Sequence, residues 1–167
     1  RFPLQVLRLS GQTDELAVLA PERLLRRMTV EAGGRIGVEG QLRSYNNKSG
    51  QGSRLVITTF ARTLCRGGEE DCNEIRLSGV LCKPPVLRCT PLGREICDLM
   101  LAVNRSYGRA DYIPCIAWGG LAEETSLLGV GDPLSFEGRV QSRLYHKMTP
   151  RGQEDRTAYE VSVMCLR

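Results

Sequence analysis

The chain has 167 residues, 41% hydrophobic and 25% charged, a balance that excludes disordered and fibrous classes and fits a soluble globular protein. Its net charge is only +4, and residues 72–167 hold 12 basic against 11 acidic side chains, so bulk charge names no partner and placement has to. No apolar run nears the roughly 18 residues of a membrane span and no secretory pattern is present, so no membrane partner and a cytoplasmic location are expected.

Short strand-like runs separated by turn residues dominate. Residues 2–10 and 16–20 read as strands, 21–28 as a helix with Pro21 at its first position, and 36–45 and 55–64 as two more strands. Residues 66–71 (RGGEED) read as a linker. Then come a strand over 74–82, a turn-rich connection over 83–94, a strand over 96–104, a turn over 105–110 and a strand over 112–118. A short helix over 119–128 closes at Gly129, and two strands over 133–145 and 156–166 flank a polar loop with Pro150-Arg151-Gly152 at its tip.

One stretch occurs twice. Residues 33–44 read GGRIGVEGQLRS, and 98 positions later residues 131–142 read GDPLSFEGRVQS. Glycine, the Glu-Gly pairs (Glu39-Gly40, Glu137-Gly138) and the closing serines (Ser44, Ser142) fall in register, as do apolar positions such as Ile36 and Leu134. Solenoid repeats run to about 20–50 residues, so this spacing indicates a duplicated domain. The order of three strands, helix and two strands in the second copy is that of the OB-fold, a five-stranded Greek-key barrel. Gly138 suits the bend that a small barrel needs. The expected class is all-β with short helices: a degenerate barrel over 1–65 without its opening strand, a linker over 66–71, and a complete barrel over 72–167.

Strand parity sorts side chains into faces. In the last hairpin Leu134, Phe136, Gly138 and Val140 point inward, which leaves Arg139, Gln141, Arg143 and Tyr145 outside. In the strand before the helix Ile113, Cys115 and Ala117 point inward, and Tyr112, Pro114, Ile116 and Trp118 outward. Spaced aromatic rings flanked by arginine suit unpaired nucleotides, because bases stack on rings for roughly 1–3 kcal/mol each while cations follow phosphates. The same residues also suit a half-buried sheet face. What separates the readings is the other copy, where Glu15, Pro21 and Asn47 stand opposite Tyr112, Trp118 and Tyr145. Tyr107 faces a position near Ser10 or Gly11.

Lys83, Arg88 and Arg94 fall in one loop beside that face, and His146, Lys147 and Arg151 in the other; they are either phosphate contacts or solvated loop charges. Seven cysteines without a C-x-x-C, and a single histidine, fit no usual zinc spacing and read as reduced, mostly buried thiols. Glu123-Glu124 and residues 69–71 read as solvated carboxylates, and no nucleophile–base pair is visible. Neither an enzyme nor a cofactor is expected.

The runs IPCIAWGGLAEE and GDPLSFEGRVQSRLY resemble the bacterial single-stranded DNA-binding protein family over about residues 72–167. The resemblance implies sequence-independent binding of single-stranded DNA in replication, recombination or repair, and a nucleoid-associated location. It implies base stacking on Tyr107, Tyr112, Trp118 and Tyr145, beside which Arg139, Arg143, Arg105, Lys83, Arg88, Arg94 and Lys147 are expected on phosphates. Three of the four rings are Tyr where common members carry Trp. Members with one barrel per chain form tetramers, so two barrels per chain imply a homodimer with four barrels. The family's acidic tail has no counterpart after Leu166-Arg167, which leaves recruitment of replication proteins without support. A primosome-like adaptor that binds proteins, and an RNA-binding module, stay open as alternatives.

Overall fold

The computed structural model describes residues 1–49 and 54–167. In chain order the elements are β1 (Phe2–Leu7), β2 (Thr13–Leu19), α1 (Glu22–Arg27), β3 (Ile36–Asn46), β4 (Leu55–Arg66), β5 (Ile75–Leu81), β6 (Val86–Cys89), β7 (Glu95–Asn104), β8 (Ala110–Trp118), α2 (Gly120–Ser126), β9 (Pro133–Thr149) and β10 (Gly152–Leu166). A 3-10 turn, Ser106–Gly108, links β7 to β8.

The first sheet runs β1-β2-β4-β3; the second runs β5-β9-β10-β8-β7-β6 and closes on itself where β5 also meets β7. The second sheet is thus a closed OB-type barrel with β6 as an added ribbon, and the first repeats four of its strands. The strand before each helix pairs in parallel with the last strand of its half, Val18 opposite Thr59 and Cys115 opposite Val161. This makes β1, β2, β3 and β4 the counterparts of β7, β8, β9 and β10. Alternation builds both: Leu16 and Val18 on β2, and Ile113, Cys115 and Ala117 on β8, all point inward and are buried. Leu134, Phe136 and Val140 are buried as their parity requires. One apolar cluster joins Val6, Leu16, Leu42 and Ile57 of the first half to Leu101, Ile113, Phe136 and Val161 of the second.

The repeated Glu-Gly pair has a geometric cause. A side chain at Gly40 would place its Cβ 2.0 Å from the Phe60 carbonyl oxygen, and one at Gly138 would place it 2.0 Å from that of Ser162. The partner strand slips register at both points, between Glu39 and Gly40 and between Val163 and Cys165. Each strand coils around its barrel at this bulge, and only glycine permits the close approach.

The repeated serines face each other's halves. The Ser44 N–H donates to Asp111 Oδ1 at 2.9 Å, and Ser44 Oγ accepts from the Tyr112 N–H at 2.7 Å. In return the Ser142 N–H donates to Asp14 Oδ1 at 3.1 Å, and Ser142 Oγ accepts from the Glu15 N–H at 3.0 Å. The two halves therefore meet through the same contacts made twice.

Four expectations need correction. The 83–94 connection holds β6, whose hairpin with β7 turns through Thr90 and Gly93, the latter at φ +82; Pro91 and Gly93 signal the turn, not a loop throughout. The polar loop after Tyr145 is a paired arm in which β9 runs to Thr149 and β10 starts at Gly152, so His146 and Lys147 lie on a strand and His146 Nδ1 bonds to Asp155. Ile116, assigned to the outer face, is only 2% exposed; it sits mid-sheet between its cross-strand neighbours Asp98 and Ser162, which share its face. Only Cys97 and Cys115 are buried thiols, because the other cysteines fall at strand ends and connections. Burial pushes both of these thiols up.

Candidate nucleic-acid interface

Trp118 ends β8 opposite Ile96 of β7, with its ring half-buried. The β6–β7 turn is pinned by the Thr90 N–H donating to the Arg94 carbonyl at 2.8 Å and the Arg94 N–H donating to Thr90 Oγ1 at 3.1 Å. This brings the Arg94 guanidinium over the indole, 4.8 Å from its centroid, within cation–π range.

A groove of about 970 Å³ opens beside this pair, lined by Trp118, Arg88, Arg94, Arg139 and Arg143 of the second half and by Arg8, Gln12 and Thr13 of the first. Its cations are held in different ways. Arg88 bonds Asp98 at 2.6 Å, and Arg143 pairs with Glu160 at 3.4 Å. Arg139 is half-buried, and its Nε is buried without a hydrogen-bond partner among the described residues. Burial first, then repulsion from Arg8, hold the Arg139 guanidinium below its ordinary value against the pull of Asp14. A phosphate in the groove would relieve the repulsion between Arg8 and Arg139.

The remaining expected residues lie outside that groove. Tyr107 stands fully exposed at 101% on the 3-10 turn, in a left-handed conformation (φ 68) that favours glycine. Tyr112 is 48% exposed on β8, where its N–H is bound to Ser44 of the first half. Tyr145 is half-buried on the β9–β10 arm opposite Arg156, and Lys147 is exposed on the same arm opposite Glu154. Lys83 is exposed just past β5. Arg105 is committed to Asp111 through bonds of 2.9 and 2.7 Å, as Arg8 is to Asp14 through two of 2.6 Å. The rings thus occupy the surface of the second half on three elements, and Trp118 alone of the four lines the groove.

Sequence reasoning missed the first half's share of the groove. The signal was present: Arg-x5-Asp occurs at Arg8–Asp14 and again at Arg105–Asp111, 97 positions on. It also passed over Tyr45, 47% exposed, and Arg43, whose guanidinium lies 4.0 Å from the Phe60 ring centroid. The outer face of β3 carries a cation and a ring as β9 does, shifted in register.

The single-strand binding protein family model matches residues 72–166, more than half of the chain. Single-stranded DNA-binding protein B of Bacillus subtilis is 39% identical over 80 residues, covering 44% of this chain and 71% of that protein. A single-stranded DNA-binding protein of Bacillus cereus is 34% identical over 99 residues, covering 55% of each, so the chain spans about half the length of that relative. The crystal structure of the wild-type single-stranded DNA binding protein from Thermus aquaticus superposes on 99% of this chain and 77% of its own, with a TM-score of 0.74 and 28% identity. The chain belongs to the single-strand binding protein family.

Proposed function

We propose that the chain binds single-stranded DNA without regard to sequence, as a non-enzymatic protein of replication, recombination or repair. The observation that carries this reading is the Arg94–Trp118 stack opening onto a groove of arginines. A base stacks against the indole while Arg94, Arg139 and Arg143 meet neighbouring phosphates, and the strand continues over Tyr112 and Tyr107 on one side and the arm of Tyr145 and Lys147 on the other. Arg105 serves instead to hold Asp111 at the junction between the halves. Residues 1–65 and 72–167 act as two barrels joined by 66–71, and two chains assemble to present four barrels.

Titration with oligo-dT tests the reading through the sole tryptophan. Trp118 fluorescence is expected to quench, with affinity falling as salt rises. A folded protein with no quench at low salt favours an adaptor that binds proteins. Equal affinity for duplex and single strand rules out stacking. Native mass measurement of the full chain reads the assembly directly.

A further inference from the structure

We infer that the first half carries a second phosphate site, between α1 and the end of β4, that holds two or more adjacent phosphate groups and no base. A cavity of about 680 Å³ lies there, and four of its lining residues are arginines: Arg23 and Arg27 of α1, Arg62 and Arg66 of β4. Helical spacing sets the first pair about 6 Å apart on one face of α1. The second pair stands about 13 Å apart along β4. All four are exposed, and Leu24 and Leu64, the one buried and the other half-buried, give the cavity an apolar floor. None of the four makes a side-chain hydrogen bond or an ion pair among the described residues. No acidic residue among those described lines the cavity. Glu22 is taken by Arg26 at 3.0 Å, and Glu39 lines a different groove.

These charges are not a requirement of the fold, because the second half builds the same corner without them. With the helix starts aligned, Glu22 with Gly120, Arg23 and Arg27 stand where α2 has Leu121 and Thr125. Arg62 is the extra residue of the β4 bulge, and its counterpart at the β10 bulge is Met164. Leu121 and Met164 line an open groove with every strand of that barrel in place, so the corner is concave in both halves. In that groove Arg8, Arg88 and Arg143 are each answered by a carboxylate, as the four arginines of the first half are not. Like charges gathered without a counterion repel, and an anion among them relieves the repulsion. Guanidinium forks take phosphate oxygens in pairs. A run of phosphates sets its charges close together, which suits four cations around one cavity better than peptide carboxylates spaced one to a residue. No aromatic ring among the described residues lines the cavity, so a base finds nothing to stack on. The ligand is therefore a run of phosphates, free or in the backbone of a strand, and the inference does not rest on the Trp118 groove.

Calorimetric titration of the full chain with tripolyphosphate at low salt tests this. Arg23→Gln combined with Arg62→Gln is expected to weaken binding at least tenfold. Arg26→Gln combined with Arg76→Gln removes the same charge from exposed, paired arginines elsewhere and is expected to change it less than twofold. A long oligo-dT in a salt series then separates the two sources of phosphate. If the strand's backbone occupies the site, the Arg23/Arg62 variant loses about 1.4 from the slope of log affinity against log salt, the value for two phosphates. If the ligand is a free oligophosphate, that slope stays as in wild type. No tripolyphosphate binding, equal weakening by both double variants, or tighter binding of hexaglutamate than of tripolyphosphate overturns the proposal. Trp118 quenching by oligo-dT is read in the same samples and reports on the DNA groove separately.

Discussion

Asp14 and Asp111 hold the same place in the two halves and make the same contacts: each is buried, each is gripped by the arginine six residues before it, and each accepts from a serine N–H of the opposite half. Burial by itself pushes the Asp14 carboxyl up, but hydrogen bonds from Arg8 and the Ser142 N–H, with the charges of Arg8 and Arg139, outweigh it and hold the group below its ordinary value. A carboxyl lowered on folding adds stability that is complete above the unfolded value, near pH 4, and is lost as pH falls through the folded value. Asp14→Asn is expected to cost about 3 kcal/mol at pH 7, because it leaves Arg8 unpaired where it is 17% exposed. Urea unfolding at pH 7 and at pH 2.5 checks this: the gap between wild type and variant narrows in acid.

The glycines of the repeat are expected to be equally intolerant of substitution. A methyl at Gly40 or Gly138 meets a backbone oxygen at 2.0 Å, which cannot move without distorting the bulge. Gly40→Ala and Gly138→Ala are each predicted to lose about 1–3 kcal/mol, the usual range for overpacking. Gly68→Ala, with open space around it, is the control and should change stability by less than about 0.5 kcal/mol. Thermal melts of the three variants decide it.

Separate contributions are expected from the two members of the groove stack. Trp118→Ala should weaken oligo-dT binding by about 1–3 kcal/mol with little change in salt dependence, since stacking releases no counterions. Arg94→Ala should reduce the slope of log affinity against log salt by about 0.7, the value for one phosphate of a single strand. Anisotropy of labelled oligo-dT across a salt series measures both.

Tyr107 separates binding from stability. Its left-handed backbone disfavours any side chain, and its ring touches nothing that burial could reward. Tyr107→Gly removes the strain but frees the unfolded chain, two effects of about 1 kcal/mol that oppose each other. Stability should therefore stay within about 1 kcal/mol of wild type while oligo-dT affinity falls about tenfold. An unchanged affinity removes Tyr107 from the path of the strand.

Much of this molecule was legible in its residues. Parity placed Leu134, Phe136 and Val140 inside, and Gly138 within a strand pattern marked the bend. Ile116 escaped because parity distinguishes two faces but cannot say that one of them is covered mid-sheet. The β6 ribbon escaped because a four-residue strand beside two prolines looks locally like a turn.

The sequence by itself determined local matters: the main strands, most inward positions, the repeated stretch and the family resemblance. Each depends on neighbours a few residues apart, or on direct comparison of two stretches. Only the tertiary structure decided that Arg8 and Arg105 each grip a buried aspartate at the junction of the halves, and that Arg8 lines one groove with Arg139. These facts join residues up to 131 positions apart. An arginine carries the same charge whether it faces a carboxylate or solvent, and only the fold sets which of the two it meets.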